Sequence, residues 1–111
     1  MSRETDLEEY RGRIRACKEE LEGIDFVLRG TILKRYMACG RKGCRCMGDP
    51  PVLHGPYYNW TRKVDGKTVT VRLSEEEATV LQEWIDNSRR YDEVVSRMVS
   101  ITLEAFEKIR S

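Results

Sequence analysis

No stretch of this 111-residue chain approaches the 18 or more consecutive apolar residues of a membrane span. The first ten residues are polar and acidic with no apolar run behind them, so they do not read as a secretory leader, and the expected compartment is the cytoplasm. Proline is scarce: Pro50, Pro51 and Pro56 are the only three, and nothing of that kind interrupts the flanks. There is one histidine, His54. A Gly-rich phosphate loop, a nucleophile elbow and an HExxH pair are all missing. With a single imidazole and none of these motifs, the expectation is a non-enzymatic protein without a small-molecule substrate.

What is present is concentrated. Cys39, Cys44, Cys46 and His54 fall within sixteen positions, in the order C-x4-C-x-C-x7-H. Gly40, Gly43, Gly48, Pro50, Pro51 and Gly55 lie between and beside them, so the segment can bend around an ion. Three thiolates and an imidazole suit a closed tetrahedral site for one structural Zn²⁺. A catalytic zinc would keep a position open for water. Two alternatives stand beside zinc: a disulfide, and a [2Fe–2S] cluster held by three Cys and one His. A cytosolic chain with clustered cysteines more often binds metal than crosslinks. The fourth cysteine, Cys17, lies elsewhere and reads as a small core residue.

Net charge is only +1, but it is unevenly placed. Residues 29–72 hold ten Lys and Arg against two acids, a net +8, and the flanks are correspondingly acidic. A basic middle of this kind suggests an anionic partner. The competing account is neutralisation by the acidic flanks within the fold.

Periodicity predicts an α+β fold in three segments. Residues 1–29 carry a coiled-coil-type helix over 5–28, opened by a Thr5–Glu8 capping box and stopped at Gly30. Its seam is Leu7, Tyr10, Ile14, Cys17, Leu21, Ile24 and Leu28, at alternating steps of three and four. Residues 30–73 form a small three-stranded antiparallel β unit with the metal loop inserted after a first strand, Thr31–Met37. Asp65-Gly66 between two alternating runs predicts a type I′ hairpin pairing Val64 with Lys67, Arg62 with Val69, Trp60 with Val71, and Tyr58 with Leu73. One hairpin face, Tyr58, Trp60, Val69, Val71 and Leu73 with the Arg62 stem, is built to be buried. The other, which includes Tyr57, Asn59, Thr61, Lys63 and Arg72, carries no acid. Residues 74–111 form a long helix or two collinear helices, opened by a Ser74–Glu77 capping box and bending most readily at residues 87–90. The two helical segments should pair as an antiparallel hairpin. The second has an apolar stripe too wide for the first to cover, which predicts a homodimer.

Cys39-Gly40, Cys44-x-Cys46, His54-Gly55-Pro56-Tyr57-Tyr58 and Asp65-Gly66-Lys67-Thr68 resemble a widespread group of small bacterial and archaeal proteins known as a domain of unknown function. The likeness runs from about Gly30 to about Arg90 and holds at all four ligand positions. It implies the metal-type motif and the following hairpin, and no activity. Similar Cys-rich segments beside transposase-like sequences incline the partner toward DNA rather than RNA.

The expected function is a zinc-stabilised, dimeric nucleic-acid-binding module. Contacts would come from Arg41, Lys42, Arg45, Tyr57, Arg62, Lys63 and Arg72, with Tyr36 as a further stacking candidate. The alternative is a protein-interaction or assembly factor that works through its coiled-coil helices, with zinc purely structural.

Overall fold

The computed structural model describes the backbone of residues 3–110 and the side chains of residues 7–110. The order of elements is α1 (Arg3–Glu22), β1 (Thr31–Met37), a 3₁₀ turn (Arg45–Met47), β2 (His54–Val64), β3 (Lys67–Leu73) and α2 (Glu75–Arg110). Two long antiparallel helices flank a three-stranded antiparallel sheet in the sequence, as the pattern implied. The chain forms two compact units. One holds the residues up to Val27 together with those from Asp86, and the other holds Leu28–Ile85.

In the helical unit two ion pairs mark the antiparallel pairing. Arg13 reaches Glu104 and Arg97 reaches Glu20, each at 2.8 Å, so a step forward along α1 is a step back along α2. Cys17, Val94 and Ile101 are buried between the helices, with Tyr10, Ile14, Leu21 and Met98 packed against them. Cys17 is the small core residue that its place on the seam predicted.

One detail of the helices differs from expectation. The first helix ends at Glu22, not near residue 28. Gly23, a poor helix former, closes it, with amide bonds from Gly23 to Glu20 and from Ile24 to Leu21. Beyond it the chain is held by Asn87, whose side-chain amide donates to the Phe26 carbonyl at 2.9 Å and to Asp25 at 3.3 Å. The Thr5 side chain lies outside the described residues. The helix runs from Arg3, and Glu8 is engaged by Arg15 at 2.8 Å. At the other end of the chain, α2 is one helix of 36 residues, with no break at residues 87–90. Its capping box forms as expected. The Ser74 amide donates to the Glu77 carboxylate at 2.8 Å, and the Glu77 amide donates to the Ser74 hydroxyl at 3.1 Å.

In the β unit the sheet order is β1-β2-β3. The hairpin register is the one the two-residue loop dictates: Val64 opposite Lys67, Arg62 opposite Val69, Trp60 opposite Val71 and Tyr58 opposite Leu73. Asp65 and Gly66 both adopt positive φ, 50° and 79°, as a type I′ turn demands. Leu73, Ala78 and Ile85 are buried in this unit, while Tyr58, Trp60 and Val69 are half-buried. Gly30 is indispensable at the start of β1. Its φ is 116°, and a Cβ there would sit 2.5 Å from the Trp60 ring nitrogen and 2.6 Å from the Thr61 carbonyl oxygen. That closeness lets the Trp60 indole donate to the Arg29 carbonyl at 2.9 Å.

Candidate metal centre and basic surface

The sheet gathers the two ends of the Cys-rich loop. β2 begins three residues earlier than the hairpin pattern suggested, so His54 is itself a strand residue, paired with Met37 at the end of β1. Cys39 follows Met37 by two positions, which places it beside that pair. The register slips between Arg35 and Met37, and Gly55 sits at the slip with φ 137°. A Cβ on Gly55 would come within 2.8 Å of the Arg35 carbonyl oxygen. The other two cysteines flank Arg45 on the 3₁₀ turn. That turn is tied by amide bonds from Cys44 to Arg41, Met47 to Cys44, Gly48 to Arg45 and Val52 to Arg45.

The four donor atoms of Cys39, Cys44, Cys46 and His54 all lie within 4.8 Å of one another. The Cys39 and Cys46 sulfurs are 3.5 Å apart, and the Cys44 sulfur is 3.1 Å from His54 Nε2. All the cysteines are free thiols, and a 3.5 Å gap is far longer than the ~2.05 Å of a disulfide. It is close to the ~3.8 Å edge of a tetrahedron with ~2.3 Å zinc–sulfur bonds. Four donors converging on one point make a cluster suited to a metal of zinc type.

Backbone amides support the sulfurs. The Cys39 amide donates to Cys46 Sγ at 3.3 Å, and the Arg41 amide donates to Cys39 Sγ at 3.4 Å. Such bonds favour thiolate over thiol. The Cys46 thiol is accordingly pulled down to about 7, chiefly by the Cys39 amide. Cys39 moves the other way. The Arg41 amide lowers it, but its hydrogen bonds with Cys46 and Cys44, some loss of hydration and the nearby Cys44 charge together outweigh that pull. Cys46 is buried, Cys44 and His54 are half-buried, and Cys39 is exposed. All four ligand candidates read from the sequence are therefore brought together.

The candidate nucleic-acid residues divide into three places. Arg41, Lys42 and Arg45 are exposed on the metal loop. Tyr57, Lys63 and Arg72 share one face of the sheet. There the Arg72 guanidinium lies 4.5 Å above the Tyr57 ring and donates to Asn59 at 3.3 Å, while Lys63 donates to Thr68 at 2.8 Å. Arg62 alternates to the opposite face. Its guanidinium stacks 4.1 Å from the Trp60 ring, and its buried Nη1 has no hydrogen-bond partner. It is a prop against the tryptophan, not a member of the open face.

Sequence reasoning missed the share of β1 in that face. Thr31 opposes Thr61, Leu33 opposes Asn59 and Arg35 opposes Tyr57, so these three extend it by one strand. The two-residue alternation of Thr31–Met37 carried that signal. Tyr36 is exposed, with Lys34 6.0 Å from its ring.

No helix among the described residues is long and apolar enough to cross a membrane. No curated protein and no solved structure matches the chain. The model of one protein family does match, over residues 7–83, a span that takes in most of α1, the metal loop, the whole sheet and the start of α2. That is more than two-thirds of the sequence, and the chain therefore belongs to the family described as Domain of unknown function (DUF6788).

Proposed function

We propose that this chain is a non-enzymatic nucleic-acid-binding protein whose β unit is held by one structural Zn²⁺ on Cys39, Cys44, Cys46 and His54. The observation that carries the reading is the open face of the three-stranded sheet. It presents Arg35, Lys63 and Arg72 among Thr31, Asn59 and other uncharged residues, and holds no acid. Arg41, Lys42 and Arg45 on the metal loop add exposed cations that a bound ion would hold in a fixed array.

Groove shape favours duplex DNA over RNA. A B-form major groove about 12 Å wide admits a two-stranded β-ribbon, such as the hairpin of β2 and β3 with strands about 4.8 Å apart. The major groove of A-form RNA is too narrow and deep to admit such a surface. A single point of convergence for four donors favours one zinc ion over a two-iron cluster. The one histidine belongs to that cluster, which leaves no imidazole for proton transfer.

The test is the salt dependence of DNA binding. Four to six phosphate contacts give log K a slope of about −4 to −5 against log salt. Alanine at Arg41, Lys42 and Arg45 flattens that slope and leaves helix content intact. If about 10 µM protein, inside the range of non-specific affinities, shifts neither DNA nor RNA at low salt, the reading is wrong. One observation favours a second reading, an interaction factor that works through its helices: the helical unit has an open apolar flank.

A further inference from the structure

The helical unit has two unlike flanks. On one, Arg13–Glu104 and Arg97–Glu20 close the gap between α1 and α2. Arg97 and Glu104 are each two residues, about 200° of helix, from Val99 and Phe106. On that other side α2 presents Tyr91, Val95, Val99, Leu103 and Phe106, at steps of four, four, four and three. All are exposed, Val99 at 55% and Leu103 at 59%. Their spacing makes one continuous stripe without a charged member. Beside it two recesses of about 380 and 360 Å³ meet at Thr102. Tyr10, Ile14 and Ala105 line the first together with Arg11, Arg15 and Lys18, and Leu21, Met98 and Leu103 line the second. The open flank is thus an apolar seam along α2 with cations on its α1 side.

We propose that this seam binds a second copy of the same chain in antiparallel orientation, with the two-fold axis near Val99, to form a four-helix bundle. Three arguments select this occupant. First, a layer of two helices has a buried side only where the helices touch; here that is Cys17, Val94 and Ile101. Stacking a second identical layer buries the stripe by the ordinary architecture of bundles. Second, one pair of charges bordering the stripe is placed for self-pairing. Arg89 and Glu107 are eighteen residues apart on α2, five turns, and so hold the same angular place toward its two ends. An antiparallel copy turned about the level of Met98, beside Val99, sets Arg89 level with Glu107 of the partner subunit. A parallel copy would set each charge beside its like. Third, the area suffices. Twenty residues of helix are about 30 Å long and a helix pair is about 20 Å wide, or roughly 600 Å² per copy. The total of about 1,200 Å² reaches the lower bound of stable specific interfaces. This proposal stands apart from nucleic-acid binding and gives the helical interaction surface a definite occupant.

Sedimentation equilibrium of the full zinc-loaded chain tests it. The expected species has twice the 13.0 kDa chain mass at tens of micromolar. Val99→Glu, at a position exposed in a single copy, should keep the helical circular dichroism and weaken the dimer about 100-fold or more. Arg89→Glu and Glu107→Arg should each weaken it, and the double exchange should restore it, because the two residues meet only across the axis. A monomer at these concentrations, whatever other protein it captures, overturns the proposal. So does a dimer indifferent to Val99→Glu, or a charge exchange without rescue.

Discussion

Removal of the metal should release the Cys-rich loop, and the size of the effect follows from what else holds that loop. Residues 38–53 number sixteen, and ordering their backbone costs about 16 kcal/mol at the lower end of usual values. Four backbone hydrogen bonds within the loop return about 4 kcal/mol. Cys46 is its only buried hydrophobic side chain, so apolar burial adds little. The shortfall of about 12 kcal/mol lies inside the roughly 10–16 kcal/mol that structural zinc contributes in small peptides. With free zinc at a thousand times its dissociation constant, the net gain over the metal-free chain is about 4 kcal/mol. That corresponds to about 15–30 °C in the unfolding temperature of a small domain. The assay is thermal unfolding of reduced protein with zinc, with a chelator, and with zinc restored, alongside elemental analysis. Cobalt(II) in place of zinc reports tetrahedral thiolate ligation through its visible absorption. Protein purified under reducing conditions without bound metal would refute the reasoning, as would an unfolding temperature and loop amide exchange unmoved by the chelator.

Gly30→Ala should cost about 2 kcal/mol or more, because the residue is at positive φ and its new methyl meets the Trp60 ring; a fall in the denaturant midpoint checks it. Ser74→Ala should remove about 1 kcal/mol by opening the α2 cap, a loss of about 4–8 °C. The Glu77 carboxyl in that cap is held below its ordinary 4.5, first by the Ser74 amide and then by its hydroxyl. Its folded value is depressed, so its contribution is present at neutral pH and is lost as the pH falls through that folded value. The Ser74→Ala deficit should therefore shrink in acid, which melting curves across pH will show. Arg62→Ala should weaken the β unit by loss of its stack on Trp60 and leave the salt slope of DNA binding unchanged, whereas Lys63→Ala should do the reverse.

What was legible in the sequence was local. The Asp65-Gly66 turn fixes four cross-strand pairs because a two-residue loop leaves no freedom of register. Ser74 and Glu77 announce the start of α2 because their bonds span only three residues. The metal ligands were legible by type, although the geometry that unites them was not. His54 reaches Cys44 because β2 carries it back to Met37, and that pairing depends on a strand distant in sequence. What escaped was decided by competition. The seam pattern continued through Ile24 and Leu28, but Gly23 and the side chain of Asn87 hold that segment out of the helix. The apolar stripe of α2 was visible, yet not which part of it α1 would take. α1 takes Val94 and Ile101 and leaves Val95 and Val99 exposed. Arg62 shows the limit of reading by charge: strand alternation outranks its cationic head and turns it toward Trp60.

The two proposed stabilisers act on different units, and this has a measurable consequence. Among the described residues seven hydrophobic side chains are buried, two of them cysteines, and no large side chain is wholly excluded from solvent. A core that small calls for a metal or a second chain. The metal cluster lies in the unit of Leu28–Ile85, and the apolar seam lies in the helical unit. Both tryptophans, Trp60 and Trp84, fall in the first, so their fluorescence reports that unit, while the residues from Asp86 onward are read by helical circular dichroism. Chelation should then change tryptophan emission at temperatures where most helical signal survives. Dilution or Val99→Glu should lower the melting of the helical signal before tryptophan emission moves. Coincident transitions by both probes, with and without metal and at every concentration, would mean that the chain unfolds as one two-state body. In that case neither stabiliser could be assigned to its own unit.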